Sequence, residues 1–326
     1  MMTFKLLPIA AAAVVVSSMS LPTFAASIES FVEAPGPTGP LKGTMLAPAQ
    51  GHGPVVLIIP GSGPTDRDGN NPEGIKASTY RLLAEGLAAR GVTTVRIDKR
   101  GMFASAAATP DANAVTISDY VNDVRAWVAV IRHHTGGPCI WLLGHSEGGL
   151  VALAATKSVP DLCGLLLVST SGRPMGELLR EQLKANPANA PLLGQALAAI
   201  DQLEAGKHVD TTAMHPALMP LFAPQVQGFL ISAFSYDPSK LLAGYAKPVL
   251  IVQGKRDIQV NVSDAQVLKK ADPQATLALL PSVNHVLKSV PTDDVGANIA
   301  TYADPSLPLA PGVMDSITSF LNANVH

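Results

Sequence analysis

Six short strand-like runs, most of them continuously apolar, set the frame for this chain: residues 55–59, 92–97, 140–143, 165–168, 249–252 and 276–280. Runs this short, bounded by Pro, Gly or polar residues, read as strands covered on both faces rather than as helices. Between several of them lie helical segments. The clearest places Ile117, Tyr120, Val121, Val124, Trp127, Val128 and Ile131 three and four apart in a single apolar stripe, with Thr116 or Ser118 available as its cap. Alternating strand and helix predicts a mostly parallel sheet with helices on both faces. Residues 28–34 and 41–47, joined by a Pro/Gly-rich turn at 35–40, read as an antiparallel hairpin ahead of it.

One connection breaks this rhythm. Between Ser169 and Val249 lie about 80 residues, where a crossover helix with its loops needs roughly 15 to 30. The excess is helix-like and apolar, with Leu178, Leu179, Leu183, Ile200, Leu203, Phe222, Phe229 and Phe234 among its large side chains. It is expected to form a helical cap over residues 173–245, inserted between core segments 26–172 and 246–326. Its apolar residues either hint at an apolar ligand or form the cap's own core.

The N-terminus departs from this pattern. Lys5, an apolar stretch over residues 6–16, and the small residues around Ala25 have the layout of a secretory signal peptide over residues 1–25, cleaved after Ala25 or else after Ala26. The apolar run is shorter than the ~20 residues a spanning helix needs, and no Cys flanks the cleavage site to carry a lipid. A periplasmic or secreted product without a membrane anchor is therefore expected. Export makes Cys139 and Cys163 notable. If the runs that follow them are adjacent parallel strands, the two sulfurs lie at the same end of the sheet and can bridge; two separately buried thiols is the other reading.

The 326 residues are 47% hydrophobic with a net charge of −2. That is ample for one domain with an insertion. With no Lys/Arg run there is no electrostatic footprint for nucleic acid or an anionic membrane, so a small-molecule partner is expected.

Gly144-His145-Ser146-Glu147-Gly148-Gly149 follows the run at 140–143 and precedes the helical stretch 150–156. A serine at such a strand-to-helix turn has its hydroxyl pushed out of the sheet, and the flanking glycines let strand and helix pack closely. The alternative is a Gly-rich turn without chemistry. A serine nucleophile needs a base, and the base an acid; at this type of turn the acid follows a late strand and the histidine the last one. Asp257 ends the run at 249–252 through Gly254-Lys255-Arg256, and His285 follows the run at 276–280. Asp264 and Asp272 are fallback acids, expected instead to be solvated on a helix.

Among the other histidines, His133 and His134 end a helix, His145 is expected to pack, and His52, His208, His215 and His326 fall in loops, cap or tail. The oxyanion donors expected are the backbone N–H groups of Glu147 and Ser62, the latter in the loop Pro60-Gly61-Ser62-Gly63-Pro64. Arg67, in the charged stretch beyond it, either binds a substrate carboxylate or pairs with an adjacent Asp to fix the loop, and the second is expected.

Taken together, Gly144-His145-Ser146-Glu147-Gly148, Gly254-Lys255-Arg256-Asp257, Asn284-His285 and Asp98-Lys99-Arg100-Gly101 resemble the α/β-hydrolase superfamily over nearly the whole chain after residue 25. The segment Pro60-Gly61-Ser62-Gly63-Pro64 followed by Asp66-Arg67-Asp68-Gly69 is similar to a group of bacterial esterase-like hydrolases with a GSGPxDRDG loop. Two departures stand out: Pro60-Gly61 replaces the His-Gly of many lipases, and Arg100-Gly101-Met102-Phe103 replaces Arg-Gly-x-Gly. The resemblance implies cleavage of a small-molecule carboxylic ester through an acyl-enzyme, with no cofactor or metal. A serine aminopeptidase, amidase or thioesterase is the alternative. A binding protein on the same scaffold is the reading from another class.

Overall fold

The computed structural model describes residues 27–50 and 53–324. The expected signal peptide, like His52 and His326, lies outside them. In chain order the elements are β1 (Ile28–Ala34), β2 (Leu41–Ala47), β3 (Val55–Ile59), α1 (Thr79–Ala88), β4 (Thr93–Ile97), α2 (Ile117–Thr135), β5 (Ile140–His145), α3 (Glu147–Ala155) and β6 (Leu162–Val168). Then come α4 (Met175–Ala185), α5 (Leu193–Glu204), α6 (Met219–Phe222), α7 (Pro224–Phe234) and α8 (Pro238–Leu242). The chain ends with β7 (Val249–Gly254), α9 (Val262–Ala271), β8 (Thr276–Leu280), α10 (Val295–Ala300) and α11 (Val313–Ala323).

The strands form one eight-stranded sheet in the order β1-β2-β4-β3-β5-β6-β7-β8. The β1–β2 and β2–β4 pairs are antiparallel and the rest are parallel. The apolar runs hide a two-residue period that only the sheet reveals. Leu57, Ile59, Leu142, Leu165, Leu167 and Ile251 face one layer, with α2, α3 and α9 over it. Their neighbours Val56, Ile58, Leu143, Leu166, Leu250 and Val252 face the other, under α1 and α11. Because both faces are covered, every position can be apolar, and the alternation vanishes from the sequence.

Helix α2 starts at Thr116, whose side chain accepts the Asp119 N–H while the Asp119 carboxylate reaches back, and stops at Gly136 with φ 69°. This reciprocal cap and left-handed stop satisfy groups that would otherwise be orphaned at each helix end. The stripe it presents includes the fully buried Trp127.

Helices α4 to α8 lie between β6 and β7, and part of them packs on itself. Leu183, Ile200, Leu203, Met214, Leu218 and Phe222 form a separate apolar cluster, while Met175, Leu178, Leu179 and Phe229 line a cavity that reaches Ser146. The segment's apolar residues thus divide between a core of its own and the wall of that cavity.

Cys139 and Cys163 are joined in a disulfide with Cα atoms 5.1 Å apart, at the N-terminal ends of the adjacent strands β5 and β6. The bridge closes a loop over a sequence separation of 24, which in the chain-entropy view stabilises the fold by about 3 kcal/mol. Reduction is expected to lower the unfolding free energy by about that amount, measured by denaturant titration with and without reductant. An unchanged midpoint would count against the bridge.

Candidate active site

The turn between β5 and α3 puts Ser146 at φ 55°, ψ −121°, a strained conformation for a residue with a side chain. Three glycines make this geometry possible by close approach. A Cβ at Gly144 would lie 2.3 Å from the Gly148 carbonyl, one at Gly148 2.2 Å from the Ile59 carbonyl, and one at Gly149 2.1 Å from Thr170 Oγ1. The Ser146 N–H donates to the Val168 carbonyl of β6 (2.9 Å), tying the turn to the sheet. Helix α3 begins immediately after Ser146, so its positive end lies at the turn.

Asp257 sits in the loop after β7 and His285 in the turn after β8. His285 Nδ1–H donates to Asp257 Oδ2 (2.8 Å), and Asp257 Oδ1 accepts the backbone N–H groups of Gln259 (2.8 Å) and Val260 (2.9 Å). Burial alone would raise the Asp257 pKa, but the His285 charge and hydrogen bond, with the two N–H groups, outweigh it and hold the carboxyl below its ordinary value. With Nδ1 protonated, His285 keeps Nε2 as the acceptor. Ser146 and His285 line the same cavity of about 60 Å³. Asn284 braces this turn: its side chain donates to Asn298 Oδ1 (2.9 Å) and Thr301 Oγ1 (2.7 Å) and accepts the Lys288 N–H (2.9 Å).

His145 does more than the packing expected of it. Its Nε2–H donates to the His285 carbonyl (2.8 Å), and its Nδ1 accepts from the Tyr80 hydroxyl (2.9 Å), which itself accepts the Gly61 N–H (2.9 Å). One buried chain of hydrogen bonds therefore links the 60–64 loop to the turn carrying His285. Burial, helped by the neighbouring His285, pushes the His145 pKa down to about 3, so its ring stays neutral. Adjacency to Ser146 was its only sequence signal.

Ser62 and Glu147 both border the larger cavity, about 390 Å³, beside Ser146. The Glu147 carboxylate is buried and lies 3.6 Å from the Lys99 ammonium. Arg67 does not pair with an adjacent Asp. It clasps Asp98 through Nε (3.0 Å), Nη2 (2.5 Å) and its backbone N–H (2.9 Å), and reaches Thr44 Oγ1 (3.1 Å). Asp68 instead pairs with Arg96, and the Asp66 carboxylate accepts the N–H groups of Asp68 and Asn70. Arg67 thus fixes the loop through a more distant partner. Phe103 lines a surface groove with Asp66, Asn70 and Pro305 rather than the cavities at Ser146.

Asp264 corrects an expectation: it is fully buried, not solvated. Its oxygens accept from Arg173 Nε (2.9 Å) and Nη2 (2.8 Å), Ser171 Oγ (3.0 Å) and the Gly172 N–H (3.1 Å). Burial is tolerable because a guanidinium 91 residues upstream pairs with it, a partner that helical periodicity cannot reveal. Asp272 stands at the end of α9 and accepts the Gln274 N–H (2.9 Å). Of the acids in α4 and α5, Glu181 pairs with Arg173 and both Asp201 and Glu204 pair with Arg180. Among the described residues no three His, Cys, Asp or Glu side chains cluster in a way that could hold a metal ion.

A sheet of this order, a strained serine between strand and helix, and a buried Asp–His pair after the later strands are the features of the α/β-hydrolase fold, which this chain adopts. The sequence profile of a family described as serine aminopeptidase, S33, matches residues 74–218. Esterase EstD of Thermotoga maritima is 25% identical over 268 residues, covering 80% of this chain and 61% of that protein, so the chain spans about three fifths of this curated relative. Est1E from Butyrivibrio proteoclasticus superposes with a TM-score of 0.56 at 17% identity, over 90% of this chain and 98% of that one. The Pyrococcus furiosus esterase Pf2001 gives 0.56 at 16% identity over 95% and 96%, and the enol-lactonase from Burkholderia xenovorans LB400 gives 0.52 at 17% over 89% and 100%.

Proposed function

We propose that the chain is a serine esterase in which Ser146 attacks a carboxylic ester, His285 takes and returns the proton, and Asp257 holds the His285 tautomer and stabilises the imidazolium. The observation that carries this reading is the buried Asp257–His285 hydrogen bond of 2.8 Å with Ser146 across the same small cavity. Attack by Ser146 Oγ on the ester carbon breaks the carbonyl π bond. Collapse of the adduct expels the alkoxide, protonated by His285, and water then releases the acid by the same route. The similarity to Esterase EstD supports the ester over other acyl substrates.

The two cavities suggest how the substrate lies. His285 must reach the leaving oxygen, so the alcohol belongs on the side His285 lines, where only about 60 Å³ is free. Ser62 and Glu147 border the larger cavity of about 390 Å³, whose wall carries Leu178, Leu179, Leu221, Phe229 and Leu230. An apolar acyl group and a small alcohol fit this division. A free carboxylate for a substrate ammonium is hard to find in α4 and α5, because Glu181, Asp201 and Glu204 are already paired with arginines and Glu177 is exposed, outside the lining of the cavity at Ser146. That disfavours an aminopeptidase.

With ethyl esters of increasing acyl length, kcat/KM is expected to rise up to about fourfold per buried methylene, and to fall when the alcohol is lengthened at constant acyl group. Faster turnover of aminoacyl amides or thioesters of matched acyl size would overturn the ester assignment. Failure of a fluorophosphonate to label Ser146 would favour a binding protein on this scaffold.

Export to the periplasm or medium belongs to the same proposal. It is supported by the signal-like residues 1–25 and by the disulfide, a bond at home in an oxidising compartment. Among the described residues no single helix is long and apolar enough to cross a membrane.

A further inference from the structure

Lys99 is a buried charge beside the nucleophile to which the proposed triad gives no task. It follows β4 within Asp98-Lys99-Arg100-Gly101 and is only 6% exposed. Its ammonium donates to the Gly61 carbonyl (2.7 Å), lies 3.6 Å from Glu147 Oε1, and stands 5.5 Å from the centre of the Tyr120 ring. Burial pulls its pKa down while the Glu147 carboxylate opposes that fall. Taking an ammonium out of water costs several kcal/mol, and an apolar side chain of the same length fills such a space at less cost. A use for the charge is therefore to be sought in what it touches.

What it touches is the peptide that joins Gly61 to Ser62. A peptide unit is planar and trans, so its C=O and N–H point in opposite directions. With the Gly61 oxygen drawn toward the buried ammonium, the N–H of Ser62 is turned away from it, and Ser62 borders the cavities at Ser146. On the other side of Gly61, its N–H donates to the Tyr80 hydroxyl (2.9 Å), so the residue is held at both ends. The same ammonium faces the side chain of Glu147, whose backbone N–H begins α3 directly after the nucleophile.

We propose that Lys99 is a positioning residue for the oxyanion hole: its ammonium clamps the Gly61 carbonyl, aims the Ser62 N–H at the oxygen that gains charge, and ties that loop to Glu147. The proposal rests on the serine-esterase reading above. Its physical content is preorganisation, since a donor already aimed before the substrate arrives needs no reorganisation when charge develops. A cation on the carbonyl also polarises the peptide and strengthens its N–H as a donor.

The test compares Lys99→Met with the double variant Lys99→Met/Glu147→Gln, in which no carboxylate is left buried without its partner. Each is assayed for kcat and KM on an ethyl ester. Each is also titrated with an alkyl trifluoromethyl ketone and with the neutral alkyl amide of the same chain length. The ketone accepts Ser146 Oγ at its carbonyl carbon, the serine proton passes to His285, and the former carbonyl oxygen carries the negative charge; the amide binds without that charge.

Both variants are expected to lose about 10²-fold in kcat, the order seen when one oxyanion donor is removed. Ketone affinity should fall by a similar factor, with KM and amide affinity nearly unchanged. Wild-type kcat and ketone affinity in the double variant would overturn the proposal, leaving Lys99 as a counter-ion for Glu147 and nothing more. Equal weakening of ketone and amide would also overturn it, as a general loosening of the site. Should Lys99→Met alone fail to fold, the double variant carries the comparison. Failure of the underlying reading shows itself separately, as wild-type protein that a fluorophosphonate does not label at Ser146.

Discussion

Replacing Ser146 by alanine is expected to lower the rate of ester hydrolysis by about 10⁵ to 10⁶, to the level that binding and oxyanion donors sustain without a nucleophile. The side chain lost is one hydroxyl. In the proposed mechanism so small a deletion is costly because His285 and Asp257 then have no serine proton to move, and the three groups fail together rather than in proportion. The fold should not follow the activity. Alanine inherits the same strained backbone as serine, φ 55° and ψ −121°, and the close contacts at this turn are made by Gly144, Gly148 and Gly149, which are untouched. The thermal midpoint is therefore expected to stay near that of the parent while labelling by a fluorophosphonate disappears. A purified Ser146→Ala protein that retains activity within tenfold of the parent would remove this serine from the chemistry.

The features legible in the sequence and those that were not differ in the range of the interaction behind them. Strands β3, β5, β6 and β7 could be read because burial on both faces leaves a continuous apolar run. Helix α2 could be read because its stripe and its Thr116–Asp119 cap are local. Asp257 and His285 follow from chain order, and the sheet topology carries both to the end of the strands where β5 delivers Ser146. The supporting groups have no such signature. His145 bonds to Tyr80 65 residues away and to His285 140 away. Lys99 reaches Gly61 across 38 residues, and Asp264 reaches Arg173 across 91. Arg67 was misread for the same reason, since an Asp stands on each side of it in sequence while its partner, Asp98, comes from the end of a different strand. A buried ion pair between distant segments leaves each partner looking like an ordinary surface charge.

Asparagine at Asp257 is expected to cost about 10⁴ in kcat, and Asp264 should rescue none of it. The carboxylate accepts from His285 Nδ1 at 2.8 Å and so leaves Nε2 free to take the serine proton. Asparagine keeps the size but can present an N–H to that nitrogen, which favours the opposite tautomer, with Nε2 already protonated. Asp264 is unavailable as a substitute because its oxygens are occupied by Arg173, Ser171 and Gly172. Asp264→Asn should accordingly show the reverse profile, a loss of about 2 kcal/mol in stability from weakening a pair whose guanidinium is partly solvated, with a far smaller loss in kcat. The two variants also part company in acid. The folded protein holds Asp257 below its ordinary pKa of 3.8. Its ionised form therefore stabilises the fold above that value, and the contribution fades as pH falls through the lower, folded one. The stability gap between parent and Asp257→Asn should hold through the neutral range and close below about pH 4, as followed by urea denaturation at stepped pH. A gap that went on widening below about pH 4 would mean that the carboxyl binds its proton more readily in the folded protein than in the unfolded one, and the tautomer argument for His285 would fall with it.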